Sequence, residues 1–341
     1  MTTINRQILL ASRPVGAPRE ENFRYAESPL RSIEEGEFLI HNLYISLDAG
    51  FRNWMNEDSA DNVLPAMALN APVVGLTVGR VIESRHPDFP EGELLMGRFA
   101  WEEYTISDGT AFVKPMPSEI TSPLSHYLGI LGDTGLSAYF GMMDIGKPQP
   151  GETVLVSAAA GAVGSVAGQI AKIFGARTVG ITSSEEKCRR LVDDFGYDAT
   201  IDRNAVDDLG EAIANACPDG VDIYFDSIGG SMLEAALGNL AVKARVVLCG
   251  AISTYGNAEP APGPSNLFEL VTKQATMKGF LCHLEADRYD EARRQLSAWI
   301  DSGKIKNVEY MFEGIENTPL AFCQMFRGQN VGKTLVRIAD E

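Results

Sequence analysis

Ala158, Gly161 and Gly164 stand three residues apart in Ser157-Ala-Ala-Ala-Gly-Ala-Val-Gly-Ser165. Glycine carries no Cβ to hold a ligand away from the backbone. The turn opens an apolar helical pattern through Val163, Val166, Ile170 and Phe174, which Gly175 stops. The free N–H groups and dipole of such a helix start favour an anion such as a pyrophosphate. Ahead of the turn lies a β-branched run from Thr153 to Ser157, so strand, turn and helix follow in the order of a dinucleotide-binding unit. The form is A-x-x-G-x-x-G rather than the stricter G-x-G-x-x-G, and a small-residue turn serving only strand–helix packing is the competing reading.

The tip of the following strand decides which dinucleotide such a turn would hold. An Asp or Glu there would accept from a ribose 2′-hydroxyl, but Gly180-Ile-Thr-Ser-Ser-Glu-Glu-Lys187 offers hydroxyls before any carboxylate. Ser183 and Glu186 have capping-box spacing, which puts the glutamates on the first turn of the next helix. Lys187, one turn in, can reach a 2′-phosphate as a point charge or stand as an ordinary solvated lysine. Arg203, in Ile201-Asp-Arg-Asn204 past the third strand, is a second cation at the same rim. Two cations without an acceptor carboxylate favour NADP(H).

The elements that must position these groups fall into two textures. Up to about Pro117 the chain reads as short strands broken by Gly, Pro and Asp, among them Phe38–Ser46, Val73–Ser84 and Leu94–Ile106, which predicts a compact, barrel-like β domain. Leu124 to Met143 reads as helical. Beyond Gly151, strands at Thr153–Ser157, Arg177–Thr182, Ala199–Asp202, Val221–Ser227, Ala244–Gly250 and Met277–Cys282 alternate with helical patterns at Glu185–Phe195, Val206–Ala216 and Ser231–Leu240. That alternation predicts an α/β fold with a doubly wound parallel sheet whose ligands bind at the strands' carboxyl ends. The Pro-rich stretch Ala258–Asn266 is either a lip over the site or a plain connector. A helix at Thr318–Phe326 and a strand at Lys333–Ile338 end the chain, and that strand is expected to rejoin the first domain.

The 341 residues carry a formal net charge of −17, which argues against nucleic acid or an anionic membrane as partner and requires a local basic pocket for any anionic cofactor. No run of 18 apolar residues occurs, and Met-Thr-Thr-Ile-Asn-Arg lacks the apolar core of a signal peptide, so a cytoplasmic location is expected. The five cysteines, all at or beyond Cys188 and without a C-x-x-C, suit reduced thiols rather than disulfides or a zinc cluster.

Taken together, Ser157–Ser165, Tyr224-Phe-Asp-Ser-Ile-Gly-Gly230, Cys249-Gly-Ala-Ile-Ser-Thr-Tyr-Gly-Asn257, Gly135-Leu-Ser-Ala-Tyr-Phe-Gly141 and Gly328-Gln-Asn-Val-Gly-Lys333 resemble the zinc-independent medium-chain dehydrogenase/reductases of the leukotriene B4 dehydrogenase, prostaglandin reductase and alkenal double-bond reductase type. The resemblance implies a GroES-like catalytic domain over residues 1–125, a Rossmann NADP-binding domain over 126–305 and a return to the catalytic domain over 306–341. It also implies a homodimer joined through the last Rossmann strands. Carried onto this chain, cofactor contacts fall on Gly161, Ala162, Val163, Gly164, Lys187, Arg203, Ser227, Cys249, Gly250, Ala251, Ile252, Ser253, Tyr255, Phe280, Leu281, Cys282 and Asn330. No metal ligand is implied, because the early Cys ligand and the four-Cys lobe of the zinc enzymes have no counterparts.

The activity implied is NADPH-dependent reduction of the C=C bond of enones and enals. Hydride goes to the β-carbon, and the charge appearing on the carbonyl oxygen must be met by hydrogen-bond donors. Tyr255 is the candidate donor, with a packing aromatic as its alternative; Asn330 either orients the nicotinamide half or shapes its own turn. An NADPH-dependent quinone reductase and a non-catalytic NADPH-binding protein are the rival readings. Arg203 stands where the family usually has Tyr, Ser227 replaces a common Asn, Ala49-Gly50 replaces a Pro often followed by Tyr, and Asp133 takes the place of an uncharged residue. The departures at Ala49-Gly50 and Asp133 bear on the substrate more than on the reaction.

Overall fold

Alternation between buried and half-buried positions runs through Leu94–Ala100, as a strand with one face on a core requires. The computed structural model describes residues 3–57, 59, 65–117, 119–255 and 262–341. Its first strands are β1 (Ile4–Leu10), β2 (Phe23–Pro29), β3 (Phe38–Ser46), β4 (Val74–Ser84), β5 (Leu94–Ala100), β6 (Tyr104–Ser107) and β7 (Val113–Pro115). The run expected as one strand from Leu94 to Ile106 is two. The chain breaks at Trp101–Glu103, so that β5 pairs with β4 while β6 pairs with β3.

The alternating part follows as α1 (Asp133–Phe140), β8 (Thr153–Val156), α2 (Ala162–Ile173), β9 (Arg177–Thr182), α3 (Glu185–Phe195), β10 (Ala199–Asp202), α4 (Leu209–Ala216), β11 (Val221–Asp226), α5 (Gly230–Leu237), β12 (Leu240–Leu248), α6 (Phe268–Thr272), β13 (Thr276–Gly279) and α7 (Tyr289–Asp301). The strands form a parallel sheet in the order β10-β9-β8-β11-β12-β13. All four residues of β8 are buried, as a central strand covered on both faces demands. This is the doubly wound sheet expected from the sequence, and its strand order reverses between β8 and β11.

Several boundaries differ from expectation. The helix expected from Val206 begins at Leu209, because the Asp208 side chain caps it by accepting from Glu211 N. The helix expected to reach Leu240 ends at Leu237, and Leu240 already belongs to β12. Only Asp133 to Phe140 of the Leu124–Met143 stretch is α-helical; a 3-10 turn precedes it and a π-helical turn, Gly141–Gly146, follows.

The chain closes with β14 (Glu309–Glu313), α8 (Thr318–Phe326) and β15 (Lys333–Arg337). β15 runs antiparallel to β3, in a sheet ordered β14-β15-β3-β4-β5-β7. The chain thus makes two compact units: one is the chain up to Leu128 with Glu309–Gln329 and Thr334–Glu341, the other Gly129–Val308 with Asn330–Lys333.

The break between β5 and β6 buries a carboxylate. Glu102 accepts from Asn5 Nδ2 at 3.1 Å, Gln7 Nε2 at 2.6 Å and Thr105 Oγ1 at 2.9 Å. Its three donors are neutral, and burial pushes its pKa above the ordinary carboxylate value. The folded chain therefore binds this proton more tightly than the unfolded chain, and the stability it contributes is lost as pH rises through the raised value. Glu102→Gln should flatten that fall in urea-unfolding curves taken from the ordinary carboxylate range upward. Glu102→Ala, which removes the acceptor of Gln7 and Thr105 and one of the two that Asn5 Nδ2 uses, should cost about 2–4 kcal/mol at pH 7.

Candidate dinucleotide site at the carboxyl ends of the parallel strands

β8 passes into α2 through a turn in which Ala158 is held at φ 46°, an unusual conformation for a residue with a Cβ. Gly161 N donates back to Ala158 O at 2.8 Å. Gly161 is the N-cap of α2 and no side chain caps that helix, leaving its first-turn N–H groups for a ligand. Gly161, Ala162 and Val163 are partly exposed, and Gly164 is buried. A Cβ at Gly164 would lie 2.5 Å from Ala158 O, so the tight turn tolerates only glycine there. Tyr197 braces the same turn: its hydroxyl donates to Gly164 O at 2.8 Å, and its ring occupies the space that a side chain at Gly168 would take. Gly332 N donates to Ala160 O at 2.8 Å and Gly332 bridges Gly161 in parallel. Asn330 is thereby brought beside the turn, buried, with its amide donating to Gly332 O at 3.1 Å.

At the tips of β9 and β10 the expected cap shifts by one residue. Ser184, not Ser183, caps α3, its hydroxyl accepting from Lys187 N. Ser183 instead offers its carbonyl to Asn204 Nδ2 at 2.8 Å. Lys187 is buried and Arg203 exposed, and neither side chain forms a hydrogen bond or ion pair among the described residues. Burial, followed by repulsion from Arg203, lowers the Lys187 pKa to about 8. The nearby Glu186 carboxylate opposes that shift only in part.

The tips of β11 and β12 meet on the other side of the strand-order reversal. Asp226, fully buried, accepts from Ser157 Oγ at 3.1 Å, Tyr224 OH at 2.9 Å, Ile228 N at 2.9 Å and Gly229 N at 3.0 Å. Ser227 N donates to Ser157 Oγ at 2.8 Å. The Ser227 hydroxyl is buried without a hydrogen-bond partner of good geometry, the Cys249 thiol lying beside it. Ile252 N and Ser253 N donate to Ser227 O and Ile228 O, which folds Cys249–Ser253 over the β11 tip.

Tyr255 closes the short 3-10 turn Ile252–Thr254. Its hydroxyl accepts from Ala251 N at a long 3.4 Å, and burial raises its pKa, keeping the phenol a proton donor. Burial pushes the Cys249 thiol up to about 12 and Cys282 to about 11, so both stay protonated at neutral pH. The strand expected through Cys282 stops at Gly279; Phe280 is partly buried, Leu281 exposed, and Cys282 opens a 3-10 turn. Asp133 sits exposed in the first turn of α1, where the helix dipole favours an acid. Residues 258–261 of the Pro-rich stretch lie outside the described residues.

Residues 6–114 match a model described as the N-terminal domain of oxidoreductase, and residues 162–298 match one described as zinc-binding dehydrogenase. An NADPH-dependent curcumin reductase of Escherichia coli is 39% identical over 99% of the chain and 98% of the relative. A 2-alkenal reductase (NADP(+)-dependent) of Nicotiana tabacum is 37% identical over 99% and 98%. The chain belongs to the zinc-independent medium-chain dehydrogenase/reductases. The crystal structure of CurA in complex with NADPH from Vibrio vulnificus superposes with a TM-score of 0.88 at 38% identity, covering 98% of this chain and 100% of that one. Despite the description of the second matched model, no three His, Cys, Asp or Glu side chains among the described residues are grouped to hold a metal ion.

The Asp48-Ala-Gly segment is ordered by a buried arginine. Ala49–Met55 is a 3-10 stretch, and Arg52, fully buried, donates to Gly16 O at 3.0 Å, Asn56 Oδ1 at 2.6 Å and Pro14 O at 2.7 Å. Phe51 and Trp54 meet edge to face on it at 5.0 Å. The reading from sequence missed Asp226, Ser157 and Tyr197 as site-shaping groups. Asp226 alone carried a usable signal, as a carboxylate at the end of an apolar strand just before a Gly pair.

Proposed function

We propose that this chain is an NADPH-dependent reductase of activated C=C bonds in α,β-unsaturated ketones and aldehydes. The observation that carries the reading is its full-length similarity to reductases named for curcumin and for 2-alkenals. The residues at the strand tips fit the cofactor: an α2 start without a side-chain cap, the buried Ser227 hydroxyl beside the Cys249 thiol and the cation pair Lys187 and Arg203.

In this reading Gly161, Ala162, Val163 and Gly164 receive the pyrophosphate on their N–H groups, and Lys187 with Arg203 holds the 2′-phosphate. Ser227, Cys249, Gly250, Ala251, Ile252 and Ser253, with Phe280, Leu281, Cys282 and Asn330, line the nicotinamide half. Bound NADPH supplies the hydride that adds to the substrate's β-carbon. Tyr255 releases its weak contact with Ala251 and turns its O–H to the substrate's carbonyl oxygen as charge develops there. NADPH oxidation measured across enones, enals, quinones and simple ketones should be fast only with the first two; preferential turnover of quinones would move the chain to the quinone-reductase reading.

The finer assignments of a homodimer and a cytoplasmic location belong to the same proposal. β13 ends the parallel sheet, with Phe268 at 71% and Leu284 at 73% exposure on the segments flanking it, a pairing edge beside an apolar surface. Sedimentation should give twice the chain mass, and a monomer would contradict the dimer. Five free thiols suit a reducing compartment, and recovery in a secreted fraction would contradict that location. No helix among the described residues is long and apolar enough to cross a membrane.

A further inference from the structure

Asp226 is a charged group that the proposed chemistry does not use. It ends β11 at the reversal of strand order, beside the end of β8, with its side chain fully buried. Oδ1 takes all four donors: the Ser157 and Tyr224 hydroxyls and the N–H groups of Ile228 and Gly229. Oδ2 has only a second contact from Gly229 N, at 3.1 Å. Each of these neighbours is placed to donate to the side chain, an arrangement that suits a carboxylate. None of its partners is a cation, and Asp226 takes part in no ion pair among the described residues. The end of β11 would therefore hold a negative charge in a low-dielectric setting, where charge acts at longer range than in water.

The direction of the cofactor follows from the cation pair. With the 2′-phosphate held at the tips of β9 and β10 and the pyrophosphate at the start of α2, the nicotinamide half would lie toward the tips of β11 and β12. Giving up a hydride, which carries two electrons, turns a neutral dihydronicotinamide into a cationic ring, while the substrate gains the hydride and later a proton. A fixed negative charge at the β11 tip would favour that cationic form.

We propose that Asp226 is a positioning residue which, besides fixing the Ser227–Gly229 turn, holds a negative charge that favours the oxidised nicotinamide and eases hydride donation. The inference rests on the NADP(H) reading above. Asp226→Asn tests it on the intact protein, because an amide oxygen in the place of Oδ1 keeps the four donors and removes the charge, at the loss of the second contact from Gly229 N to Oδ2. The dissociation constants of NADP⁺ and NADPH, measured separately by calorimetry, should show NADP⁺ weakened three- to tenfold more than NADPH; tenfold corresponds to about 30 mV in the bound couple. Tyr224→Phe removes one donor and keeps the charge, so its NADP⁺ preference should equal or exceed that of the natural chain. This holds the test open if the Asn variant fails to fold. Equal weakening of both cofactors in Asp226→Asn, or a lost NADP⁺ preference in Tyr224→Phe, would leave Asp226 a purely structural group and overturn the inference. Failure of the natural chain to bind either cofactor would instead overturn the NADP(H) reading on which it depends.

Discussion

Replacing Lys187 and Arg203 together by alanine is expected to weaken NADPH binding by about two to three orders of magnitude and to leave NADH within about twofold. Each cation would form a charge-assisted contact with the 2′-phosphate, worth about 1.5–3 kcal/mol. Among the described residues neither side chain forms a hydrogen bond or ion pair that would compete for it. The pH dependence is a second signature. Lys187 is charged below about 8 and loses its proton above that value, and only the charged form attracts a phosphate dianion. NADPH affinity should therefore fall as pH rises past 8 while NADH affinity stays level, and Lys187→Arg should flatten the NADPH curve because a guanidinium does not titrate there. Equal weakening of the two cofactors in fluorescence titrations would show that neither residue reads the phosphate.

Tyr255→Phe should lower kcat for an enone by about 10²-fold or more, the usual loss when one donor to a developing oxyanion is removed, at unchanged NADPH affinity. Among the described residues the phenol's hydrogen bond is the long 3.4 Å contact from Ala251 N, which a substrate oxygen can displace. The phenol's pKa is raised, so the group remains a donor throughout the neutral range. If instead the hydroxyl only supports the Cys249–Ser253 turn, Tyr255→Phe would weaken cofactor binding and spare kcat. Rate and affinity measured on one preparation separate the two roles.

The parallel sheet was legible because its strands are short apolar runs between helices, each bounded by Gly or polar residues, and that pattern has few solutions. Boundaries were less legible where neighbouring residues compete for one role. Ser183 and Ser184 can both cap a helix, and pairing of Thr182 with Asp202 in the sheet leaves Ser184 as the residue that does so. α7 escaped the reading although Ala292, Leu296 and Trp299, spaced at i, i+4 and i+7, form its buried face. Charged residues around them hid the stripe. The break at Trp101–Glu103 was invisible because the acceptor that Asn5 and Gln7 need comes from a residue 95 or more positions away. Within the site, local spacing pointed to Gly161, Gly164, Lys187 and Arg203. Asp226 acquires its role only when the topology brings Ser157 to it from 69 residues away.

The central claim is that hydride is delivered to the β-carbon of a conjugated carbonyl compound. It is tested most directly by one turnover experiment with NADPH deuterated at the transferred C4 position and a simple enone, followed by NMR of the product. The account predicts a saturated ketone carrying deuterium at the β-carbon; an allylic alcohol carrying deuterium at the former carbonyl carbon would contradict it.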